Sequence, residues 1–299
     1  SAKVALVAAP LPLPNLVPWD QGGLFLLADR GLERATGVCV AFAGRLGGAS
    51  AGPYATLNLG GHVQDAVDAV QENRRRLLAA LGAEGMPLVV PNQVHGTRIV
   101  AIDDASDIED ACAAAAEGAD GLLVGVPDVA ALLCFADCVP VVAVSPTGRF
   151  AIVHAGWRGA VAHIAYQAVR ALALRDVQGA GRECAPSEDR LRDVAAAYNV
   201  YVGPCIHAEC FACGPDVYDR FAEAFGDVAV PKPGHVDLPA AVVCDVERAG
   251  VDGARVCDAG ACTACDTTGR WYSYRASGGV CGRHGAIAFA RNEVGPYGN

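Results

Sequence analysis

The sequence predicts an α/β protein of the mixed, α+β kind, folded as one domain over residues 1–299. Short Val- and Ile-rich runs recur between Gly, Pro and Asp, with amphipathic helical stretches among them. The run from Leu122 to Val153 holds three or four strands and leaves no room for helices between them. Regular βαβ winding is therefore disfavoured, and turns such as Ser145–Gly148 predict hairpins in a mixed sheet.

In chain order, the apolar opening Val4–Val17 is broken by Pro10, Pro12, Pro14 and Pro18, and only Lys3 precedes it. It predicts a strand and an extended arm rather than a secretory leader. Val67, Val70, Leu77, Leu78 and Leu81 share a helical face that ends at Gly82. Strands are predicted at Leu88–Val90, Arg98–Ile102, Leu122–Val124, Ala130–Phe135, Val139–Val144 and Phe150–Val153. Being apolar on both faces, most must be covered on both sides. A helix over 160–174 follows the turn Gly156-Trp157-Arg158-Gly159, and the polar stretch 177–190 predicts an exposed loop. Tyr198–Val202 predicts another strand. Tyr218, Phe221 and Phe225 mark a helix between Pro215 and Gly226, and Leu238, Val242 and Val246 mark one before Gly250. Trp271–Tyr274 has the aromatic content of a strand.

Hydrophobic residues make up 53% of the 299, enough to bury a full core. A net charge of −10, with Arg74–Arg76 the densest basic run, argues against a nucleic-acid surface. No apolar stretch approaches the ~20 residues of a membrane span. The expected partners are small soluble molecules; nothing in the sequence sets the oligomeric state. The thirteen cysteines fall below the density of disulfide-stapled scaffolds and are expected as reduced thiols in a cytoplasm.

Three segments place chemistry-bearing side chains at strand ends: Asn92–Thr97 with His95, Phe135–Pro140 with Cys138, and Val153–Gly159 with His154. The spacings of 43 and 16 residues match no local zinc motif, and each residue alone has a structural explanation. If they meet, one thiolate and two imidazoles form a three-ligand set with an open position, as in catalytic zinc. The same set suits copper, and without a metal Cys138 with a histidine would make a hydrolase dyad. Arg158, beside a helix start, is a candidate phosphate holder, with a surface ion pair as the alternative. Cys205, Cys210 and Cys213 are spaced C-x₄-C-x₂-C, as are Cys257, Cys262 and Cys265. That spacing opens a plant-type [2Fe–2S] pattern, but neither run has the Gly/Ser-rich loop that serves cluster sulfurs, and reduced structural thiols are the default.

Eight ordered motifs give the chain a family resemblance. They are Gly-Gly-Ala-Ser leading to Gly-Pro-Tyr-Ala-Thr-Leu-Asn-Leu-Gly (52–60), Glu-Asn-Arg-Arg-Arg-Leu (72–77), Asn-Gln-Val-His-Gly-Thr (92–97), Gly-Ala-Asp-Gly (118–121), Ala-Asp-Cys-Val-Pro-Val (136–141), His-Ala-Gly-Trp-Arg-Gly (154–159), Val-Gly-Pro-Cys-Ile (202–206), and Tyr-Ser-Tyr-Arg (272–275) with Gly-Arg (282–283). On these the chain resembles the laccase-domain, or multicopper polyphenol oxidase, family in its purine nucleoside phosphorylase-type members. The resemblance implies a four-layer α/β/β/α sandwich and a zinc site on His95, Cys138 and His154, with copper the other metal to consider. It implies cytosolic phosphorolysis of adenosine, inosine, guanosine and methylthioadenosine, with adenosine deamination as a side activity. Within its motifs, Arg158, Gln93 and Asn58 are the expected substrate-binding residues. Two features depart from the pattern: Ala276-Ser277 after Tyr-Ser-Tyr-Arg, and the cysteines at 210, 213, 257 and 265. A four-copper oxidase needs roughly ten histidines, often in His-x-His pairs. Seven histidines and no such pair make that chemistry a poor match.

Overall fold

The computed structural model describes residues 9–179 and 185–292. In chain order the elements are β1 (Val17–Gln21), β2 (Leu24–Ala28), α1 (Arg30–Thr36), β3 (Val38–Ala43), α2 (Val67–Ala80), β4 (Leu88–Val89), β5 (Ile99–Ile102), α3 (Ile108–Glu117), β6 (Gly121–Val124) and β7 (Ala130–Phe135). Then come β8 (Val139–Val144), β9 (Phe150–Ala155), α4 (Trp157–Val161), α5 (Ile164–Gly179), α6 (Glu188–Ala195), β10 (Asn199–Val202), α7 (Pro215–Phe225), α8 (Leu238–Arg248), β11 (Val256–Asp258) and β12 (His284–Ala290).

The strands form two six-stranded mixed sheets, ordered β1-β2-β3-β12-β7-β4 and β11-β10-β8-β9-β6-β5. Side chains alternate across each strand, so a strand apolar at every position must be covered on both faces. Val40, Phe42, Leu133 and Ala288 of the first sheet meet Leu122, Val142, Ile152 and Tyr201 of the second in a core between the sheets. The alternate residues Ala41, Leu132 and Ile287 face outward onto Leu77 and Ala80 of α2. Val141, Val153 and Val200 face the opposite way, onto Val169 and Leu172 of α5, Phe221 of α7 and Val242 of α8. The result is the α/β/β/α layering that the resemblance implies.

The hairpin expectation holds for β8 and β9, which pair antiparallel across the Ser145–Arg149 turn. It fails on either side of β7. The chain leaves β6 in the second sheet, enters β7 in the first, and returns to β8 in the second through Ala136-Asp137-Cys138. That second crossover places Cys138 where the two sheets meet.

Four other expectations change. The helix predicted over 160–174 begins at Trp157, breaks at Ala162–His163, and resumes through Gly179. His163 takes a left-handed φ of 62°, and its Nδ1 lies 2.9 Å from an Asp245 carboxylate oxygen, which repositions the chain for α5. The loop predicted over 177–190 is shorter, because α5 runs to Gly179 and Ser187 caps α6 by accepting the Arg190 N–H; residues 180–184 lie outside the described residues. Trp271–Tyr274 is irregular and leads into a turn that starts at Tyr274, pinned where the Asp266 carboxylate accepts the backbone N–H groups of Arg270 and Trp271. Of the opening stretch, residues 4–8 lie outside the described residues, 9–16 form the extended arm, and the strand starts at Val17. Pro12 is tied down through its carbonyl, which accepts from Asn199. No helix among the described residues is long and apolar enough to cross a membrane.

Candidate active site

His95, Cys138 and His154 come together. Their ligand-capable atoms lie within 4.8 Å of one another. His154 is on β9, opposite Pro140 of β8, so β-sheet register sets its distance from Cys138 at the foot of β8. His95 arrives on the loop after β4 with a left-handed φ of 61°, and its ring meets the His154 ring edge to face at 4.8 Å. The neighbouring Asp137 is also left-handed, at φ 90°. Strain of this kind persists where surrounding contacts enforce it. Here the Asp137 carboxylate accepts the Thr263 hydroxyl at 2.7 Å and the Arg275 backbone N–H at 2.7 Å.

Asp120, in the Gly-Ala-Asp-Gly motif, holds the two histidines. One carboxylate oxygen lies 2.8 Å from His154 Nδ1, and the carboxylate accepts the backbone N–H groups of Val94, His95 and Gly96. Burial would push this carboxyl up, but the hydrogen bonds from His154 and Gly96 outweigh it and hold it below its ordinary range. One buried anion thus fixes the loop that carries His95 and leaves Nε2 of His154 to face the cavity. A carboxylate behind a ligating histidine is the usual outer support of a metal site.

Burial likewise opposes ionisation of Cys138, yet the charge and hydrogen bonds of His154 and His95 pull its thiol down to about 6. The same pairing overcomes burial at His154 and raises it to about 9. Both shifts favour the thiolate–imidazolium form of the pair when no ion is bound. Gly156 completes the packing. A Cβ there would sit 2.8 Å from His95 Cδ2 and 3.2 Å from Cys138 Sγ, so only glycine allows the backbone this close.

The three residues open onto a cavity of about 490 Å³. Phe211, Trp157, Ile206 and Leu238 supply apolar wall, and Tyr274, Arg275, Arg283 and His62 bring polar groups. Of the residues expected to bind substrate, Gln93 reaches this wall, but its amide is engaged. Nε2 donates to the Cys134 carbonyl and Oε1 accepts the Cys134 N–H, both at 2.8 Å, extending the β4–β7 ladder by one side chain. Asn58 does not reach the cavity. It is fully buried, donates to Gly60 and Asp65, and accepts the backbone N–H groups of Gly60 and Arg283, so it positions Arg283 instead. Arg158 is exposed and outside the cavity lining, with its guanidinium 4.4 Å over the Trp157 ring. The cations that reach the cavity are Arg275 and Arg283, from motifs the sequence shows but to which local spacing assigns no role. Asp120 and Asp137 likewise sit inside motifs without a metal-like spacing to mark them.

Compared with known proteins, residues 39–291 match the family model described as multi-copper polyphenol oxidoreductase laccase. The chain belongs to this family. A protein named purine nucleoside phosphorylase from Deinococcus radiodurans is 34% identical over 262 residues, covering 86% of this chain and 91% of that one. A protein named adenosine deaminase RL5, from an unknown prokaryotic organism, is 34% identical over 241 residues, covering 77% and 85%. Among solved structures, YlmD from Geobacillus stearothermophilus superposes with a TM-score of 0.72 at 28% identity, covering 95% of this chain and all of that one. A Bacillus licheniformis hypothetical protein, YfiH, gives a TM-score of 0.75 at 27% identity, covering 89% and 96%. Among the described residues, His95–Cys138–His154 is the only group of three or more clustered ligands that includes histidine.

Proposed function

We propose that the chain is a zinc-dependent purine nucleoside phosphorylase, acting on adenosine, inosine, guanosine and methylthioadenosine, with adenosine deamination as a second activity of the same site. The observation that carries this reading is one juxtaposition. A His₂Cys set backed by a carboxylate lies in an apolar, aromatic-walled cavity that also receives two arginines. The names of the relatives at 34% identity point the same way.

The donor set fits zinc. Two imidazoles and a thiolate within 4.8 Å, with one imidazole held by Asp120, form the three-protein-ligand arrangement of a site open to a fourth group. Bound there, zinc would act as a Lewis acid on a substrate oxygen or a water. The chain's own residues do the rest. Phe211, Trp157 and Tyr274 offer faces for a purine, while Arg275 and Arg283 take the phosphate role first expected of Arg158. Each of these arginines already donates Nη1 to carbonyls, Arg275 to Cys210 and Ala212 and Arg283 to Cys281 and Gly282, so both are pre-positioned. A phosphate oxygen bonds to the anomeric carbon as the glycosidic C–N bond breaks; the bonding electrons leave with the base, which takes up a proton. The sites for base, sugar and anion accelerate this by alignment and by stabilising charge on the departing base.

Purified protein incubated with inosine should release hypoxanthine and ribose 1-phosphate only when phosphate is present, and should convert adenosine to inosine and ammonia without it. A metal-replete protein that turns over no nucleoside would overturn the reading. One observation favours a second: Cys138, His154 and Asp120 are also linked in the order of a nucleophile, base and orienting acid. A metal-free hydrolase would be indifferent to chelator and would carry an acyl adduct on Cys138. The zinc enzyme would be silenced by chelator and restored by Zn²⁺.

A further inference from the structure

The two C-x₄-C-x₂-C runs do not act as units. Cys205 is fully buried, and Cys213 and Cys257 stand apart from the others, but one cysteine of the first run meets two of the second. The Sγ atoms of Cys210, Cys262 and Cys265 and a carboxylate oxygen of Glu209 lie within 4.8 Å of one another, in a group separate from His95, Cys138 and His154.

We propose that Cys210, Cys262, Cys265 and Glu209 form a second metal site, a closed tetrahedral Cys₃Glu centre of structural type whose ion is zinc. The compass of the group suits one ion. With Zn–S near 2.3 Å, ligand sulfurs of a tetrahedral site stand roughly 3.8 Å apart, whereas a two-iron cluster spreads its cysteines over two metal centres. Cys262 and Cys265 have the C-x₂-C spacing of a zinc knuckle, and the Cys262 sulfur accepts the His207 backbone N–H at 3.4 Å. Backbone donors aimed at a sulfur favour a ligating thiolate over an inert thiol. The loop segments of the site are brought together independently of any ion, through the parallel bridge between Cys205 and Cys262 and the hydrogen bonds from Cys205 N–H to the Ala261 carbonyl and from Thr263 N–H to the Cys205 carbonyl.

Its role follows from its neighbours. Thr263, between the two knuckle cysteines, donates to Asp137, next to the catalytic-site ligand Cys138, and Phe211, next to Cys210, is cavity wall. An ion at the second site would clamp the loops that hold this side of the cavity. The proposal does not rest on the nucleoside reading, because it concerns different ligands.

Zinc content measured on purified, reduced protein should show a second equivalent per chain that survives Cys138→Ser and is lost in Cys262→Ser. Cys265→Ser, at an exposed position, guards against misfolding and should lose the same equivalent while leaving the far-ultraviolet circular dichroism unchanged. Cobalt(II) loaded into Cys138→Ser should give the thiolate charge-transfer band and intense visible bands of a tetrahedral sulfur site. Hydrogen exchange in 205–213 and 259–266 should quicken when Cys265 is replaced. A zinc content indifferent to Cys262 and Cys265 would overturn the proposal. So would intact-protein masses showing a disulfide among these cysteines, with no zinc-dependent protection of Cys210, Cys262 and Cys265 from alkylation.

Discussion

At the residue scale, the candidate site depends on the charge state of a few buried groups. In metal-free protein the Cys138 thiol is held down to about 6 by His154 and His95, while burial pushes Cys134, on the neighbouring strand, up to about 11. Alkylation of chelator-treated protein, followed by peptide mass, should therefore rise through pH 6 at Cys138 and remain slow at Cys134. A Cys138 profile rising only near its ordinary value of 9.0 would show that the imidazoles do not stabilise the thiolate. The linked stabilities have opposite signs. The depressed thiol contributes fully above its ordinary value and loses that contribution as pH falls through about 6. The raised His154 contributes fully below 6.5 and loses it as pH rises through about 9. Asp120 supports both histidines, so Asp120→Asn, which keeps the shape but removes the charge and one acceptor, should weaken metal binding about 10- to 100-fold. Competition with a chromophoric chelator measures this, and unchanged affinity would reduce Asp120 to a loop anchor. This carboxylate stood inside a recognisable motif, but no spacing tied it to His154, because their separation of 34 positions closes through strand pairing of β6 with β9.

At the element scale, several apolar runs buried on both faces were legible, although β3 (Val38–Ala43) was not, and segments fixed by distant partners were missed. The strands Ala130–Phe135 and Val139–Val144 coincide with their apolar runs because both faces are buried. β12 was missed although it is central to its sheet: His284–Ala290 mixes Gly and Ala with few branched residues, and its strand state comes from pairing on both sides with β3 and β7. The break at His163 was also hidden, since the apolar period runs through it and the partner that holds it, Asp245, is 82 residues away. The candidate site was legible as three strand ends, but their meeting depends on the β7-to-β8 crossover between sheets. At that meeting point the short step from β9 to α4 leaves no space for a side chain at Gly156. Gly156→Ala should therefore displace His95 or Cys138 and lose metal and turnover together, while urea denaturation shows a fold close to wild type, since the added methyl points into the site rather than the core. A variant with full metal content and activity would show that the ligand loops yield easily.

At the scale of the whole molecule, a chain of net charge −10 must bind an anion if phosphate is its co-substrate. The long-range field is repulsive, but beyond a Debye length of about 10 Å in 0.1 M salt it is largely screened, so nearby charges decide binding. Arg275 and Arg283 reach the cavity lining, whereas Arg158 is exposed and stacked over Trp157. Arg283 is placed by the surroundings of the first sheet: Asn58 accepts its backbone N–H, Leu59 donates to its carbonyl, and β12 begins at the next residue. Such placement lets an arginine offer its free N–H groups without reorganising. Arg283→Met keeps much of the stem and removes the charge. It should raise the KM for phosphate roughly 10- to 100-fold, the worth of a charge-assisted hydrogen bond, and change the KM for inosine far less. Arg158→Ala should leave the phosphate KM near wild type and, through Trp157, shift the nucleoside KM modestly. Steady-state kinetics with phosphate and inosine varied in turn separate the two variants. The reverse pattern, with phosphate binding lost at position 158 and kept at 283, would return the anion to the helix start and move the purine toward the Tyr274 side of the cavity.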